Sequence, residues 1–279
     1  MTGTVSEALR EAATRLSATS DTARLDAELL MAHALGVSRS DLLLRHAREA
    51  VPPQFAVLID RRAAREPVAH ILGEQEFYGR TFRVTAATLI PRGDSEVLVE
   101  AALALSPPPA RVLDLGTGSG ALLLSVLADC AAEGVGTDRS AAALEVAREN
   151  ANRLDLVDRA RFELRDWHEA GWADDLGRFG LVLCNPPYVE SDAELDPDVR
   201  DYEPASALFA GAEGLDDYRA LMPQLARLLT PDGVVIFEIG AGQADAVTAL
   251  AEAEGYSATL RRDLAGRARA LVMTRGLNR

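Results

Sequence analysis

A polar turn sequence directly follows a short apolar run at residues 181–184, and it reads Asn185-Pro186-Pro187-Tyr188. If the run is a buried strand, this turn lies at its carboxyl end, where open α/β sheets bind ligands. The Asn185 side-chain oxygen and a backbone carbonyl could accept both N–H bonds of a planar –NH₂ group, because a proline carbonyl has no competing N–H beside it. The pattern predicts a site that aims a weakly nucleophilic amide or aromatic amine at an electrophile, with Tyr188 against the substrate. An ordinary strand-ending turn is the alternative.

A second candidate site is a glycine-rich segment after another apolar run, 111–115. The segment consists of Gly116, Thr117, Gly118, Ser119 and Gly120, and residues 121–128 have helical composition. Strand, glycine turn and helix in this order let a ligand approach the backbone and meet unpaired N–H groups. The next apolar segment ends at Asp138, about 20 residues further on, where a carboxylate can accept both ribose hydroxyls of a nucleoside.

Two nucleoside cofactors are compatible with this arrangement. The spacing of Gly116, Gly118 and Ala121 satisfies the relaxed dinucleotide fingerprint, so the loop alone leaves NAD open, and a merely tight turn is a further alternative. Asp114 favours a methyl donor, because its carboxylate could pair with an amino-acid ammonium. After the predicted third strand, residues 160–165, Trp167 could cover an adenine ring, although a tryptophan is often a packing residue.

These motifs resemble those of S-adenosylmethionine-dependent N-methyltransferases, and more narrowly the release factor glutamine methyltransferases of the HemK type. The resemblance extends over nearly the whole chain. It includes Pro67 to Gly73, Glu76-Phe77-Tyr78-Gly79, Leu89-Ile90-Pro91-Arg92, Gly214-Leu215-Asp216, Phe237-Glu238-Ile239-Gly240 and Asp263-Leu264-Ala265-Gly266. One departure is clear: where the family usually has Arg-Pro-Asp-Thr-Glu, this chain has Arg92-Gly93-Asp94-Ser95-Glu96.

The resemblance implies an α/β fold with a seven-stranded, Rossmann-like class I methyltransferase sheet, a small N-terminal helical-bundle domain and a β-hairpin connector. It implies S-adenosyl-L-methionine as the cofactor and, as substrate, the Gly-Gly-Gln glutamine of class I peptide-chain release factors, methylated at N5. The catalytic residues would be Asn185, Pro186, Pro187 and Tyr188. The cofactor-binding residues would be Gly116, Thr117, Gly118, Ser119, Gly120, Asp138, Trp167 and Asn185.

Three other functions stay open at this point. The nearest is methylation of a ribosomal-protein glutamine. The second is adenine-N6 methylation of DNA or RNA, which can use the same turn, and the third is a degenerate methyltransferase fold that serves as a binding scaffold. The net charge of −14 disfavours nucleic acid, because phosphate contacts require a basic patch. We expect a basic protein partner, such as a ribosome-binding factor, and no direct nucleic-acid binding.

Composition excludes several further kinds of chemistry. The chain has no lysine, which excludes lysine-based covalent catalysis. Its two cysteines, Cys130 and Cys184, and its four histidines lack disulfide or metal-ligand spacing, so we expect no metal. No apolar stretch is long enough to span a membrane, and the N-terminus lacks the basic segment followed by an apolar segment that is typical of a signal peptide. We expect a cytoplasmic monomer.

The domain organisation follows from changes in pattern along the chain. Residues 1–74 are predicted to form a helical substrate-recognition domain, in which Gly36 ends the second helix and Ser40 caps the third. Residues 75–90 are predicted to form the hairpin connector, and residues 91–279 the methyltransferase domain, with one helix at 216–229. The acidic loop 190–202 has no clear structure, which predicts a lid or a substrate-facing loop.

Overall fold

The structure is a computed structural model that describes residues 3–276. These residues form two compact units. One unit contains the chain up to Glu74 together with the segment Leu195–Tyr202, and the other contains Gln75–Glu194 and the chain from Glu203 onwards. The acidic loop therefore leaves the second unit and returns to it.

The first unit is helical. It contains α1 (Val5–Leu16), α2 (Ala23–Leu35), α3 (Arg39–Arg45), α4 (Phe55–Ala63) and α5 (Val68–Leu72). The predicted end of α2 at Gly36 is confirmed, since this residue has a left-handed φ of 67°. The prediction that Ser40 caps α3 is wrong. Ser38 is the cap, because its hydroxyl accepts a hydrogen bond from the Asp41 backbone N–H at 3.0 Å.

A buried arginine holds the segment Leu195–Tyr202 on these helices. Arg62 is only 6% exposed, and its guanidinium donates to Asp26 Oδ2 and to Asp198 Oδ2, each at 2.7 Å. The Tyr202 hydroxyl donates to the Ala64 carbonyl at 2.8 Å. A buried guanidinium needs paired acceptors, so the contacts with Asp198 and Tyr202 tie the acidic loop to α4 and the turn that follows it.

The elements after α5 belong to the second unit, except for the short helix Pro197–Arg200, which lies in the segment Leu195–Tyr202 of the first unit. In chain order they are β1 (Glu74–Phe77), β2 (Arg80–Arg83), α6 (Glu96–Leu103), β3 (Arg111–Leu115), α7 (Ala121–Asp129), β4 (Glu133–Asp138), α8 (Ala141–Arg153), β5 (Ala160–Leu164), β6 (Phe179–Cys184), α9 (Pro197–Arg200), α10 (Asp216–Leu221), α11 (Leu225–Leu228), β7 (Leu229–Glu238), α12 (Ala244–Ala253), β8 (Tyr256–Arg262) and β9 (Ala268–Arg275). Strands β1 and β2 pair as a hairpin. The helix predicted at 216–229 is divided into α10 and α11, because Pro223 lies in a 3₁₀ turn between them.

Seven strands form one sheet in the order β5-β4-β3-β6-β7-β9-β8. The first five strands of this order are parallel, whereas β9 is antiparallel to both β7 and β8. The chain enters the sheet at β3. Strands β4 and β5 are then added on one side of β3, and β6 and β7 on the other, so the crevice between β3 and β6 is the topological switch point. The carboxyl ends of β3, β4, β5, β6 and β7 consequently meet at one edge.

Both faces of the sheet are covered. Along β6, Leu181 and Leu183 face a core with α6, α7 and α8, whereas Val182 and Cys184 face a core with α10 and α12. This alternation is the two-residue period of a strand, and a strand buried on both faces reads as a continuous apolar run. The apolar pattern of residues 181–184 therefore fixes the position of the turn that follows them.

Candidate active site

The glycine-rich segment joins β3 to α7 in a conformation that requires glycine. Gly116 and Gly118 have φ values of 70° and 55°. A Cβ atom on Gly116 would lie 3.2 Å from the Trp167 ring, so the indole covers this position. Between the two glycines, the Thr117 N–H donates to the Thr137 carbonyl at 2.9 Å and ties the loop to β4. The loop is therefore rigid and leaves its backbone accessible to a ligand.

Asp138 is the last residue of β4 and is held by two backbone donors. Its Oδ2 accepts a hydrogen bond from Gly118 N at 2.9 Å, and its Oδ1 accepts one from Ser140 N at 2.8 Å. Burial raises the pKa of this carboxyl group, and the two backbone hydrogen bonds offset part of that rise. Each oxygen keeps a lone pair, so the fixed carboxylate can accept two further hydrogen bonds.

Asp114 is a second carboxylate at the same edge. It lies in β3, is 1% exposed, and its Oδ2 accepts a hydrogen bond from the Thr117 hydroxyl at 2.6 Å. Among residues 3–276 no donor reaches its Oδ1. Burial raises the pKa of Asp114 from 3.8 to about 7, and the neighbouring charge of Asp138 adds to the rise. Hydrogen bonds from the Thr117 hydroxyl and the Leu123 backbone offset part of this rise, and Asp114 is not among the residues that line the cavity described below. A buried oxygen with an unused acceptor position nevertheless requires an explanation.

Trp167 follows β5, and its orientation is fixed by a residue that sequence analysis did not identify. Its Nε1 donates to Asp217 Oδ1 at 2.7 Å, and the same oxygen lies 3.0 Å from His168 Nε2. Asp217 is 6% exposed and lies in the first turn of α10. In sequence it is one of two acidic residues at the start of a helix. Acidic residues are common at this position, so the sequence did not indicate that Asp217 is part of the site.

The turn after β6 divides its residues between two surroundings. Asn185 and Pro187 line a cavity, whereas Pro186 is buried and Tyr188 is directed elsewhere. The Tyr188 hydroxyl donates to Glu238 Oε1 at 3.2 Å, and its ring packs against the core on the α10 and α12 face. Burial raises the pKa of the Tyr188 hydroxyl, and the charge of Glu238 raises it further.

The cavity has a volume of about 220 Å³. It brings together eight predicted site residues: Gly116, Thr117, Gly118, Ser119, Asp138, Trp167, Asn185 and Pro187. Gly120, Pro186 and Tyr188 are not among its lining residues. The sequence motifs did not predict its other lining residues, which include Phe77, Thr88, Leu89, Ser95, Ser206 and Asp217. The cavity therefore joins the glycine loop, the acidic end of β4 and the turn after β6 in one site.

One buried carboxylate fixes the outer wall of this cavity. Glu203 is 8% exposed; its Oε2 accepts from Ile90 N and its Oε1 from Arg92 Nη2, each at 3.0 Å. Leu89 and Pro91 on one side and Pro204 on the other all line the cavity. Glu203 thus connects two wall segments that are more than 100 residues apart in sequence.

Fold and site together define a class I methyltransferase. Residues 108–255 match the family model described as "Methyltransferase domain", and residues 7–73 match the "PrmC N-terminal domain". A methyltransferase structure from Pyrococcus furiosus is similar in fold, with a TM-score of 0.53 at 16% identity over 80% of this chain and 98% of that chain.

Two curated proteins narrow the class. The chain is 45% identical over 272 residues to a release factor glutamine methyltransferase from Cereibacter sphaeroides, covering 94% of this chain and 95% of that protein. It is 44% identical over 260 residues to one from Rhodospirillum rubrum, covering 90% and 79%. The chain belongs to the release factor glutamine methyltransferase family. The fold, the family and the enzyme class predicted from the sequence are confirmed.

The described residues also bear on metal binding and on membranes. Within the described range 3–276, no group of three or more histidine, cysteine, aspartate or glutamate side chains could hold a metal ion. Over the same residues, no helix has the length and apolar character needed to cross a membrane.

Proposed function

We propose that this enzyme transfers the methyl group of S-adenosyl-L-methionine to the side-chain nitrogen, N5, of the Gly-Gly-Gln glutamine in class I peptide-chain release factors. The observation that carries the proposal is that Asn185 lines the same cavity as the glycine loop, Asp138 and Trp167. An amide-holding turn beside a nucleoside site is the arrangement that methylation of an amide requires. The release-factor specificity named for the curated relatives supports the choice of substrate.

The residues at the edge of the sheet fit S-adenosyl-L-methionine better than NAD. When bound, this cofactor supplies a methyl group activated by a positively charged sulfur. Asp138, held by two backbone donors, would accept the ribose hydroxyls. Asp114 would accept the ammonium group at its free Oδ1. The same carboxylate opposes NAD, because a negative charge next to the glycine loop repels a pyrophosphate.

Asn185 and the Pro186 carbonyl would orient the substrate. The lone pair of an amide nitrogen is delocalised, so the nitrogen reacts only when it is held in line with the electrophile. The Asn185 side-chain oxygen would accept one N–H bond of the glutamine amide and the Pro186 carbonyl the other. Positioning and exclusion of water would then provide most of the rate enhancement.

The helical unit is proposed to recognise the release factor. This assignment takes residues 1–74 as the substrate-recognition domain, 75–90 as the connector and 91–279 as the methyltransferase domain. Large apolar side chains are exposed on α3 and α4, namely Leu43, Leu44 and Val57. The net charge of −14 suits a basic protein partner and opposes nucleic acid. A release-factor substrate would place the reaction in the cytoplasm, where translation terminates.

Mass spectrometry of a release factor incubated with the enzyme and S-adenosyl-L-methionine tests the proposal. Ribosomal protein and adenine-containing DNA serve as competing substrates in parallel reactions. We expect methylated glutamine in the Gly-Gly-Gln peptide of the release factor. Methylated adenine without methylated glutamine would refute the proposal. Methylation of ribosomal protein alone would show that a ribosomal-protein glutamine, and not the release-factor glutamine, is the substrate.

Asn185→Ala tests the role of the turn in the same assay. We expect the rate to fall by about 10²-fold or more, as when one preorganised polar group is removed from a reacting centre. Asn152→Ala is the matched control, because Asn152 is exposed at the end of α8. Wild-type turnover by Asn185→Ala would contradict the assignment.

A further inference from the structure

Partly buried Tyr188 and buried Glu238 form a pair behind the turn after β6. Glu238 is the last residue of β7, which lies beside β6 in the sheet, and it is 3% exposed. Its Oε1 accepts the hydrogen bond from the Tyr188 hydroxyl at 3.2 Å. Neither side chain lines the cavity. The hydroxyl of Tyr188 is therefore directed towards the sheet.

The burial of Glu238 is costly, which makes its contact with Tyr188 informative. A carboxylate is rarely buried unless it is paired. The Ser95 hydroxyl also hydrogen-bonds this carboxyl group, and the charges of Arg269 and Arg92 lower its pKa, although the Arg269 guanidinium donates to Asp94 Oδ2 at 3.0 Å. A purely structural role would be served better by an apolar residue at this position. The carboxylate thus has a use that packing alone does not explain.

The backbone of Tyr188 is held from the same side. Its carbonyl accepts a hydrogen bond from Gln243 Nε2 at 3.0 Å, and Gln243 Oε1 accepts one from Gly240 N at 3.0 Å. A side chain on Gly214 would collide with the Tyr188 carbonyl oxygen. The end of β7 and the residues that follow it therefore fix the last residue of the turn, at its hydroxyl through Glu238 and at its carbonyl through Gln243.

We propose that Tyr188 is a positioning residue, which acts through Glu238 to hold Asn185 and the Pro186 carbonyl in the geometry that binds the substrate amide. Tyr188 does not contact the amide itself. This differs from the expectation, drawn from the sequence, that Tyr188 lies against the substrate. The inference rests on the proposed function of the turn.

The test is steady-state methylation of a release factor by the full-length enzyme, with kcat and KM measured separately. Tyr188→Phe keeps the ring and removes the hydroxyl, and Glu238→Met keeps the volume and removes the acceptor. We expect each to lower kcat about tenfold, the effect of losing one hydrogen bond to a charged group, with little change in KM. The double variant should match Glu238→Met, because that variant already lacks the contact with Tyr188. Glu238→Gln retains an acceptor oxygen and should stay within about twofold of the parent.

Tyr218→Phe is the matched control. Tyr218 is fully buried and its hydroxyl donates to the Glu238 backbone carbonyl at 2.8 Å, so its loss lowers stability without releasing the turn. We expect its kcat to equal that of the parent. Should Glu238→Met fail to fold, Tyr188→Phe decides alone.

Three results would overturn the inference. They are parental kcat in Tyr188→Phe, losses that multiply in the double variant, and a loss in Glu238→Gln equal to that in Glu238→Met. Failure of the proposed function is a different result, because the parent enzyme itself would then leave the release factor unmethylated.

Discussion

The carboxyl group of Asp114 should make the stability of this enzyme depend on pH near neutrality. Its pKa is raised from 3.8 to about 7, chiefly by burial. A group with a raised folded pKa favours the folded state fully below its unfolded pKa, and this contribution is lost as the pH rises through the folded pKa. The free energy of unfolding should therefore fall as the pH rises from about 4 to about 7.

The size of the effect follows from the shift. A change of about 3 pKa units corresponds to about 4 kcal/mol over the whole range. Between about pH 5.5 and about pH 8, the part that belongs to Asp114 is about 2 kcal/mol. Asp114→Asn removes this titration and keeps an oxygen that can accept the hydrogen bond from the Thr117 hydroxyl.

Urea unfolding of the parent and of Asp114→Asn at both pH values measures this quantity. Other buried carboxyl groups, such as Glu238, titrate in both proteins, so the comparison isolates Asp114. The variant should gain about 2 kcal/mol relative to the parent when the pH is raised from about 5.5 to about 8. Asp232→Asn is the control, since Asp232 is exposed. If the parent and Asp114→Asn show the same dependence on pH, the raised pKa is wrong.

The raised pKa of Asp114 should also make cofactor binding depend on pH, which calorimetry can measure. If the ammonium group of S-adenosyl-L-methionine pairs with ionised Asp114, the affinity of the parent should rise about tenfold or more between about pH 5.5 and about pH 7. This range lies below the titration of an α-amino group. Asp114→Asn should bind more weakly and lose the dependence on pH. An unchanged slope in the variant would refute the pairing.

Two further predictions concern single residues. Asp138→Ala should weaken S-adenosyl-L-methionine binding by about 1.5–3 kcal/mol, because it removes a fixed acceptor for the ribose; unchanged affinity by calorimetry, or tight NAD binding by the parent, would contradict the cofactor assignment. Gly93→Pro should raise the free energy of unfolding by about 0.4–1 kcal/mol, because Arg92 is already extended and a Cβ at Gly93 meets nothing within 4 Å. A loss of stability in urea unfolding would show that proline does not fit there.

The sequence was sufficient to predict the polar groups at the strand ends. Each of the apolar runs before Gly116, Asp138 and Asn185 is a strand, and in parallel strands the carboxyl ends meet at one edge. Local composition determines these positions, because a strand buried on both faces is mostly apolar and stops where polar residues begin, with the buried Asp114 inside β3 as an exception. These three positions could therefore be placed together without knowledge of the fold.

Long-range contacts could not be predicted in the same way. Asp217 bonds Trp167 across 50 residues of sequence, and Glu203 bonds Ile90 across 113. A single carboxylate in a sequence gives no sign of which distant N–H it will meet. Nor does the acidic composition of 190–202 reveal Arg62, whose burial only the packed helices produce. The orientation of Tyr188 belongs to this group, since it depends on Glu238.

The raised pKa values of Asp114, Asp138 and Glu238 share one physical cause, which is burial of carboxyl groups near the ends of three parallel strands of the sheet, β3, β4 and β7. Each of these groups lowers the stability of the ligand-free protein near neutral pH. A stability cost of this kind persists where function requires it. For Asp114 and Asp138, a cofactor with a cationic amino acid and a ribose would supply the missing charge and donors. For Glu238, the function is to orient the turn after β6. A fixed acceptor in the sheet provides this orientation, and an apolar residue would not.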